Sequence, residues 1–131
     1  MPATPEALRA ALGALVVTFD DAGADVAAVE VPSYPGGLRP SSVITLRGAG
    51  AVGRGEHVAW TEAAHVACRE RTLPGIARGR WELEAWSAML ATTVAEPYER
   101  AALEAAAIDL ALRQHDLTLF RLLGQAPCPV R

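Results

Sequence analysis

The stretch from Glu99 to Gly124 constrains the fold of this chain more than any other. Up to His115 it consists almost entirely of residues that favour helix, with no Gly or Pro in its interior. Apolar positions surround the predicted helix nearly completely, and its polar residues fall on two opposite sides. A helix of this kind is buried between neighbours rather than lying on a surface. We therefore predict a long sandwiched helix, followed by a short helix that Gly124 ends.

The preceding chain is predicted to form strands first and helices afterwards. The predicted strands are Asp25–Val31, Ser42–Arg47 and Ala51–Trp60, which are β-branched or alternate in polarity. Helical spacing follows, from the N-cap Thr61 to about Arg71 and again over Trp81–Thr92. This order predicts an α+β fold, with a three-stranded antiparallel meander followed by a bundle of three to four helices.

The first 24 residues are predicted to be an N-terminal extension to a domain that spans residues 25–131. A helix is expected to begin at Pro5, Ala14–Phe19 fits either helix or strand, and Asp20–Gly23 is predicted to be a turn. The first connection of the meander, Ser33–Pro40, contains two Pro and two Gly and is expected to be a mobile loop.

Composition excludes several classes of function. The chain has 131 residues, a net charge of −3 and no basic run, so neither nucleic acid nor a membrane is an expected partner. All 12 basic residues are Arg, which excludes mechanisms that need a lysine. The two cysteines have no disulfide or metal-binding spacing, and no signal segment is evident, so a cytoplasmic location is expected.

Three local sequence patterns could mark a functional site, and each also has a simpler structural explanation. Gly48–Gly53 matches G-x-G-x-x-G, but no helix opens after it, so a glycine-rich hairpin is favoured over a dinucleotide site. His57, His65 and Cys68 are spaced so that a zinc site is conceivable, although a buried thiol and two ordinary histidines explain the pattern better. Glu56 and Trp60 flank a predicted turn and could line a pocket, or Glu56 could be a solvated strand end and Trp60 a core anchor; the sequence does not decide between these.

The helix signature resembles that of a known enzyme family. Gly53-Arg54-Gly55-Glu56 ends the predicted third strand in the manner of the N-terminal capping domain of the mandelate racemase/muconate lactonising branch of the enolase superfamily. The matching helix residues are Ala101-Ala102-Leu103-Glu104, Ala106-Ala107, Asp109-Leu110, Arg113, Leu119 and Leu122-Leu123-Gly124. The sequence departs from the family at Leu112, where a small residue is usual, at Thr118, where Pro is usual, and in residues 1–24.

The resemblance implies that two loops cover a substrate that is bound elsewhere. These loops are the first connection of the meander and the segment from about Glu56 to Thr61, and they would exclude water and select the substrate. The implied substrate-contacting residues are Tyr34, Leu38, Arg39, His57 and Trp60. For Arg39, a solvated loop charge is an equally good explanation.

The resemblance assigns no catalytic residue and no metal ligand to this chain. In the family, the chemistry belongs to a following (β/α) barrel of about 200 residues or more, which holds Mg²⁺ and is absent from this sequence. The expected partners are that barrel domain and a second copy of the chain, bound through the apolar face that the barrel would cover. A stand-alone, non-enzymatic α+β domain for self-association or partner binding is the alternative.

Overall fold

A computed structural model describes residues 4–130 of the chain. Residues 1–3 of the predicted N-terminal extension, and Arg131, lie outside the described part. The elements in chain order are α1 (Pro5–Gly13), β1 (Val16–Phe19), β2 (Asp21–Glu30), β3 (Leu38–Gly48), β4 (Ala51–His57), α2 (Glu62–Ala67), a π-helical segment (Cys68–Thr72), α3 (Leu73–Gly75), β5 (Gly79–Glu82), α4 (Leu83–Thr93), α5 (Pro97–Gln114) and α6 (Leu119–Leu122).

The central sheet is an antiparallel meander in the order β2-β3-β4. Ala49 and Gly50 connect β3 to β4 with positive φ angles of 49° and 76°, as a two-residue hairpin turn requires. The glycine-rich stretch is therefore a hairpin, as predicted. Together with the helices that follow the meander, this sheet confirms the predicted α+β fold.

The predicted central helix is α5, and it is buried on two sides. It packs against β4, β3 and β1 on one side and against α4 on the other. Its buried apolar residues are Ala102, Leu103, Ala106, Ala107, Leu110 and Ala111. On the sheet side, Gly53 and Gly55 of β4 lie directly beneath the backbone of α5, where a side chain would collide with helix atoms. The small residues of both elements therefore allow a very close approach.

A second sheet of two strands pairs β1 with β5. Val17 and Phe19 of β1 are buried in the same core as α4 and α5, and the Phe19 ring meets Trp86 at 5.2 Å in an edge-on arrangement. Trp81, predicted to lie in a helix, is in β5 instead and pairs with Val17. That helix begins at Leu83, because the backbone before it is held by the pairing with β1.

Other predicted boundaries also differ from the structure. The loop predicted at Ser33–Pro40 is shorter than expected, because β3 begins at Leu38. The prediction of a turn at Asp20–Gly23 is wrong, because β2 begins at Asp21, which pairs with Arg47 near the end of β3. The third strand ends at His57 rather than Trp60, since its last ladder partner is Ser42. The helix after Thr61 does not end at Arg71 but continues through the π-helical segment to Gly75.

Candidate functional site

Tyr34 and Trp60 meet at one end of the central sheet. Tyr34 lies in the connection between β2 and β3, and Trp60 lies in the segment that follows β4. The Tyr34 hydroxyl donates a hydrogen bond to the Trp60 carbonyl at 2.8 Å, and the two ring centroids are 4.9 Å apart. Trp60 is 52% exposed, so it is a surface residue of this loop pair and not a core anchor.

Arg39, at the start of β3, packs against the second of these aromatic residues, Trp60. Its guanidinium carbon lies 5.4 Å from the centroid of the Trp60 ring, within the range of a cation–π contact. The guanidinium also donates a hydrogen bond to the carbonyl of Val58. Arg39 is therefore held against the segment after β4 rather than extended into solvent. We call Tyr34, Arg39 and Trp60 the loop cluster.

The other two predicted substrate-contacting residues lie apart from the loop cluster. Leu38 is 55% exposed and, as the neighbour of Arg39 in a strand, points to the opposite face of the sheet. His57 is fully buried on the side of the sheet that faces α5. Glu56 accepts a hydrogen bond from Ser41 at 2.9 Å on the face opposite to His57.

His57 belongs to a buried polar cluster between β4 and α5. Its Nε2 lies 3.3 Å from a carboxylate oxygen of Glu96, the N-cap residue of α5. That carboxylate also accepts a hydrogen bond from the Glu99 backbone N–H at 2.8 Å. Glu99, itself 95% buried, accepts a hydrogen bond from the Thr72 hydroxyl at 2.7 Å. Two carboxylates and an imidazole thus lie together just behind the segment that carries Trp60.

The surroundings set the charge of this buried cluster. Burial lowers the pKa of His57 below its usual 6.5, although the hydrogen bond with Glu96 acts in the other direction. His57 is therefore neutral near pH 7. Burial alone would raise the pKa of Glu96, but the hydrogen bonds from the backbone N–H groups of Glu99 and Tyr98 and from His57 hold it below its usual 4.5. Glu96 is therefore ionised near pH 7.

His65 and Cys68 do not join His57 in the zinc site that the sequence made conceivable. His65 has both ring nitrogens within hydrogen-bond distance of partners, the Ser42 hydroxyl at 2.6 Å and the Ala59 carbonyl at 2.8 Å. Burial raises the pKa of Cys68 to about 12, so it is a protonated core thiol. Within residues 4–130, the residues whose possible ligand atoms lie together are instead His57, Glu96 and Glu99, with these atoms within 4.8 Å of one another.

Glu96 and Glu99 were not singled out from the sequence. Acidic residues at the start of a helix ordinarily compensate its dipole, so their position carried no special signal. Only the pairing of β4 with β3, and the seating of α5 on β4, bring them next to His57.

A cleft of about 550 Å³ lies between α1, α4 and α5. It is lined mainly by apolar side chains such as Leu8, Leu12 and Ile108, with Arg9 and Glu104 among its polar residues. These elements are distinct from the two loops that form the loop cluster, so the cleft and the loop cluster are separate features.

In the part of the chain that the structure describes, no helix has the length and apolar character needed to cross a membrane. Comparison with curated proteins and with solved structures gives no match to this chain. A family model described as the N-terminal domain of a domain of unknown function, DUF8230, matches residues 10–122. The match extends from the second half of α1 to the end of α6, and the chain therefore belongs to the DUF8230 N-terminal domain family.

Proposed function

We propose that this chain is the capping domain of a two-domain, Mg²⁺-dependent enzyme of the mandelate racemase/muconate lactonising type. The observation that carries the proposal is the loop cluster, in which residues from two separate loops form one contiguous surface at one end of the sheet. The same two loops are those that would cover the substrate in the family that the sequence resembles. The description of the DUF8230 match as an N-terminal domain is compatible with this role.

The loop cluster would exclude water and recognise a carboxylate substrate. Arg39 supplies the positive charge, and the Trp60 ring and the Val58 carbonyl hold its guanidinium in place. A preorganised guanidinium loses less freedom when it binds an anion than a mobile one does. The acid, the base and the Mg²⁺ ligands that generate and stabilise the enediolate would all come from the barrel.

The first test is the DNA that follows the codon for Arg131. A reading frame that encodes a (β/α) barrel with lysine or histidine bases and clustered carboxylates would support the proposal. An unrelated gene in that position would contradict it.

The second test uses the two-domain protein that such a frame encodes. Arg39→Ala should raise KM about tenfold or more with a smaller effect on kcat, because it removes a charge that orients the substrate. Arg47→Ala is the matched control, since Arg47 lies on the same strand and face but pairs with the exposed Asp21 at 3.4 Å. Equal effects of the two substitutions would contradict a role for the loop cluster in substrate binding.

The alternative function, self-association or partner binding, is favoured by apolar side chains on β2 and β3. Val26 and Leu38 on one face of this hairpin, and Val29 and Val43 on the other, are each at least 36% exposed. We propose that an interface with the barrel or with a second copy of the chain covers one of these two faces. Light scattering of the 131-residue chain should then show a dimer or larger oligomer, and a monomer at every concentration would argue against self-association.

We also propose a cytoplasmic location for the protein. Cys68 and Cys128 are both unpaired, as is usual where disulfides do not persist. Fluorescence microscopy of a tagged chain in its host would test this, and a signal at the cell envelope would contradict it.

A further inference from the structure

His57, Glu96 and Glu99 bring three possible metal-ligand atoms close together. One nitrogen and two carboxylate oxygens lie within 4.8 Å of one another. His57 is fully buried and Glu99 is 95% buried, whereas the Glu96 side chain is 33% exposed and leaves the cluster open to solvent on one side. The three side chains come from the end of β4 and from the start of α5, two elements that meet only in the folded chain.

No arginine compensates the charge of the cluster. Among residues 4–130, neither carboxylate lies within ion-pair distance of an arginine, and the ionisable partner of Glu96 is His57. The backbone N–H groups at the start of α5 and the Thr72 hydroxyl satisfy some oxygen lone pairs but carry no full charge. Glu99 is buried and Glu96 is partly exposed, and two carboxylates this close together repel each other unless they share a proton or a cation.

The distance between the imidazole and the first carboxylate fits a hydrogen bond in the free protein and a shared ion in the bound one. His57 Nε2 lies 3.3 Å from the Glu96 oxygen, which is a weak hydrogen bond. Two ligands at bond lengths of about 2.0–2.1 Å around a tetrahedral zinc ion lie about 3.3–3.4 Å apart. This pair therefore already has the spacing of two zinc ligands, and the third ligand atom, which lies within 4.8 Å, would have to move closer when the ion binds.

We propose that His57, Glu96 and Glu99 bind one divalent transition-metal ion of the zinc type. One imidazole and two carboxylates form a ligand set that suits zinc, whereas Ca²⁺ and Mg²⁺ take oxygen ligands in larger number. The ion would tie the end of β4 to the start of α5 and so steady the segment that leads to Trp60. This proposal is independent of the proposed function, because the catalytic Mg²⁺ would belong to the barrel.

The test uses the tag-free 131-residue chain after treatment with a chelator. Titration with Zn²⁺ should give one tightly bound equivalent per chain by metal analysis and calorimetry, and it should raise the melting temperature. Glu99→Gln and His57→Asn should each weaken zinc binding at least tenfold. Glu104→Gln is the matched control, because Glu104 also lies on α5 and accepts a hydrogen bond from a hydroxyl, that of Ser87, but lies outside the cluster.

Three results would overturn the proposal. The first is the absence of stoichiometric zinc with no change in melting temperature. The second is binding that survives both substitutions, or that is lost in Cys68→Ala, which would place the ion elsewhere. If the variants do not fold, the visible absorption spectrum of the unaltered chain with bound Co²⁺ tests the ligand set instead. Visible bands typical of four-coordinate nitrogen and oxygen ligands are expected, and their absence, or thiolate charge-transfer bands, would be the third contrary result.

Discussion

Replacing Gly55 with alanine tests the contact on which the fold depends most. A Cβ atom at Gly55 would lie 2.0 Å from the carbonyl oxygen of Ala102 and 2.9 Å from the backbone nitrogen of Ala106. Ordinary contact begins at 3.4 Å, so α5 would have to retreat by about 1.4 Å. The obstacle is helix backbone, which cannot rotate away as a flexible side chain could.

The retreat of α5 would open a gap along its whole sheet-facing side. A gap of about 0.5–1 Å already forfeits a quarter to a half of each dispersion contact, and Ala106 and Leu110 are fully buried there. Overpacking of a core typically costs about 1–3 kcal/mol, and a clash with backbone belongs at or above the upper limit. We therefore expect Gly55→Ala to lower the free energy of unfolding by about 3 kcal/mol, which is about 10 °C in melting temperature for a domain of this size.

Urea and thermal unfolding, followed by circular dichroism, measure this change. Gly23→Ala is the matched control, because Gly23 lies in β2 of the same sheet and an added Cβ would meet nothing within 4 Å. That substitution should be neutral or stabilise by about 0.5 kcal/mol, since alanine restricts the unfolded chain. If Gly55→Ala unfolded within about 0.5 kcal/mol of the unaltered protein, the close approach of α5 to β4 would be refuted.

Three further predictions concern the core. Ala107→Asp should lower the free energy of unfolding by about 3 kcal/mol or more, because it buries an unpaired charge. Ala105→Asp, on the exposed side of α5, should lower it far less. Equal melting temperatures of the two variants would refute this. Iodoacetamide at pH 8 should label one thiol, the exposed Cys128, since the pKa of buried Cys68 is about 12; rapid double labelling in mass spectra of the folded chain would contradict this. The pKa of His57 in the folded chain lies below its ordinary value of 6.5, so on acidification the unfolded chain binds a proton before the folded chain does. The free energy of unfolding of the metal-free protein should therefore fall as the pH is lowered from 6.5. Denaturant titrations that show a constant or rising free energy of unfolding toward pH 5 would count against this.

The parts of the fold that the sequence predicted are those with strong local signals. Apolar residues nearly all round α5, the N-cap at Thr61 and the turn at Gly50 each express a requirement within a few residues, and the structure confirms all three. The sheet of β1 and β5 was missed because each strand has only four residues and its partner lies about 60 positions away. No local pattern reports such a pairing, which depends on the packing of Phe19 and Trp86 in the finished core.

The candidate site was predictable only where it follows a loop. The family resemblance named Tyr34, Arg39 and Trp60, because they lie in or beside the two loops that it implies cover a substrate. It could not place His57, whose direction depends on which face of β4 meets α5. It also could not identify Glu96 and Glu99, because carboxylates at the start of a helix ordinarily compensate the helix dipole. Their contact with His57 becomes visible only when β4 and α5 are packed together.

The position of α5 against β4 affects the geometry of both candidate sites, the loop cluster and the proposed metal site. Gly53 and Gly55 face the helix and set its depth, while the alternating Arg54 and Glu56 face the other way. The Arg54 backbone N–H donates to the Asp109 carboxylate at 2.9 Å, so α5 is also fixed along the strand direction. This placement brings the start of α5 beside His57 and determines where the chain leaves β4 toward Trp60. The glycines of the G-x-G-E motif in β4 therefore position the start of the helix where two of the proposed metal ligands lie.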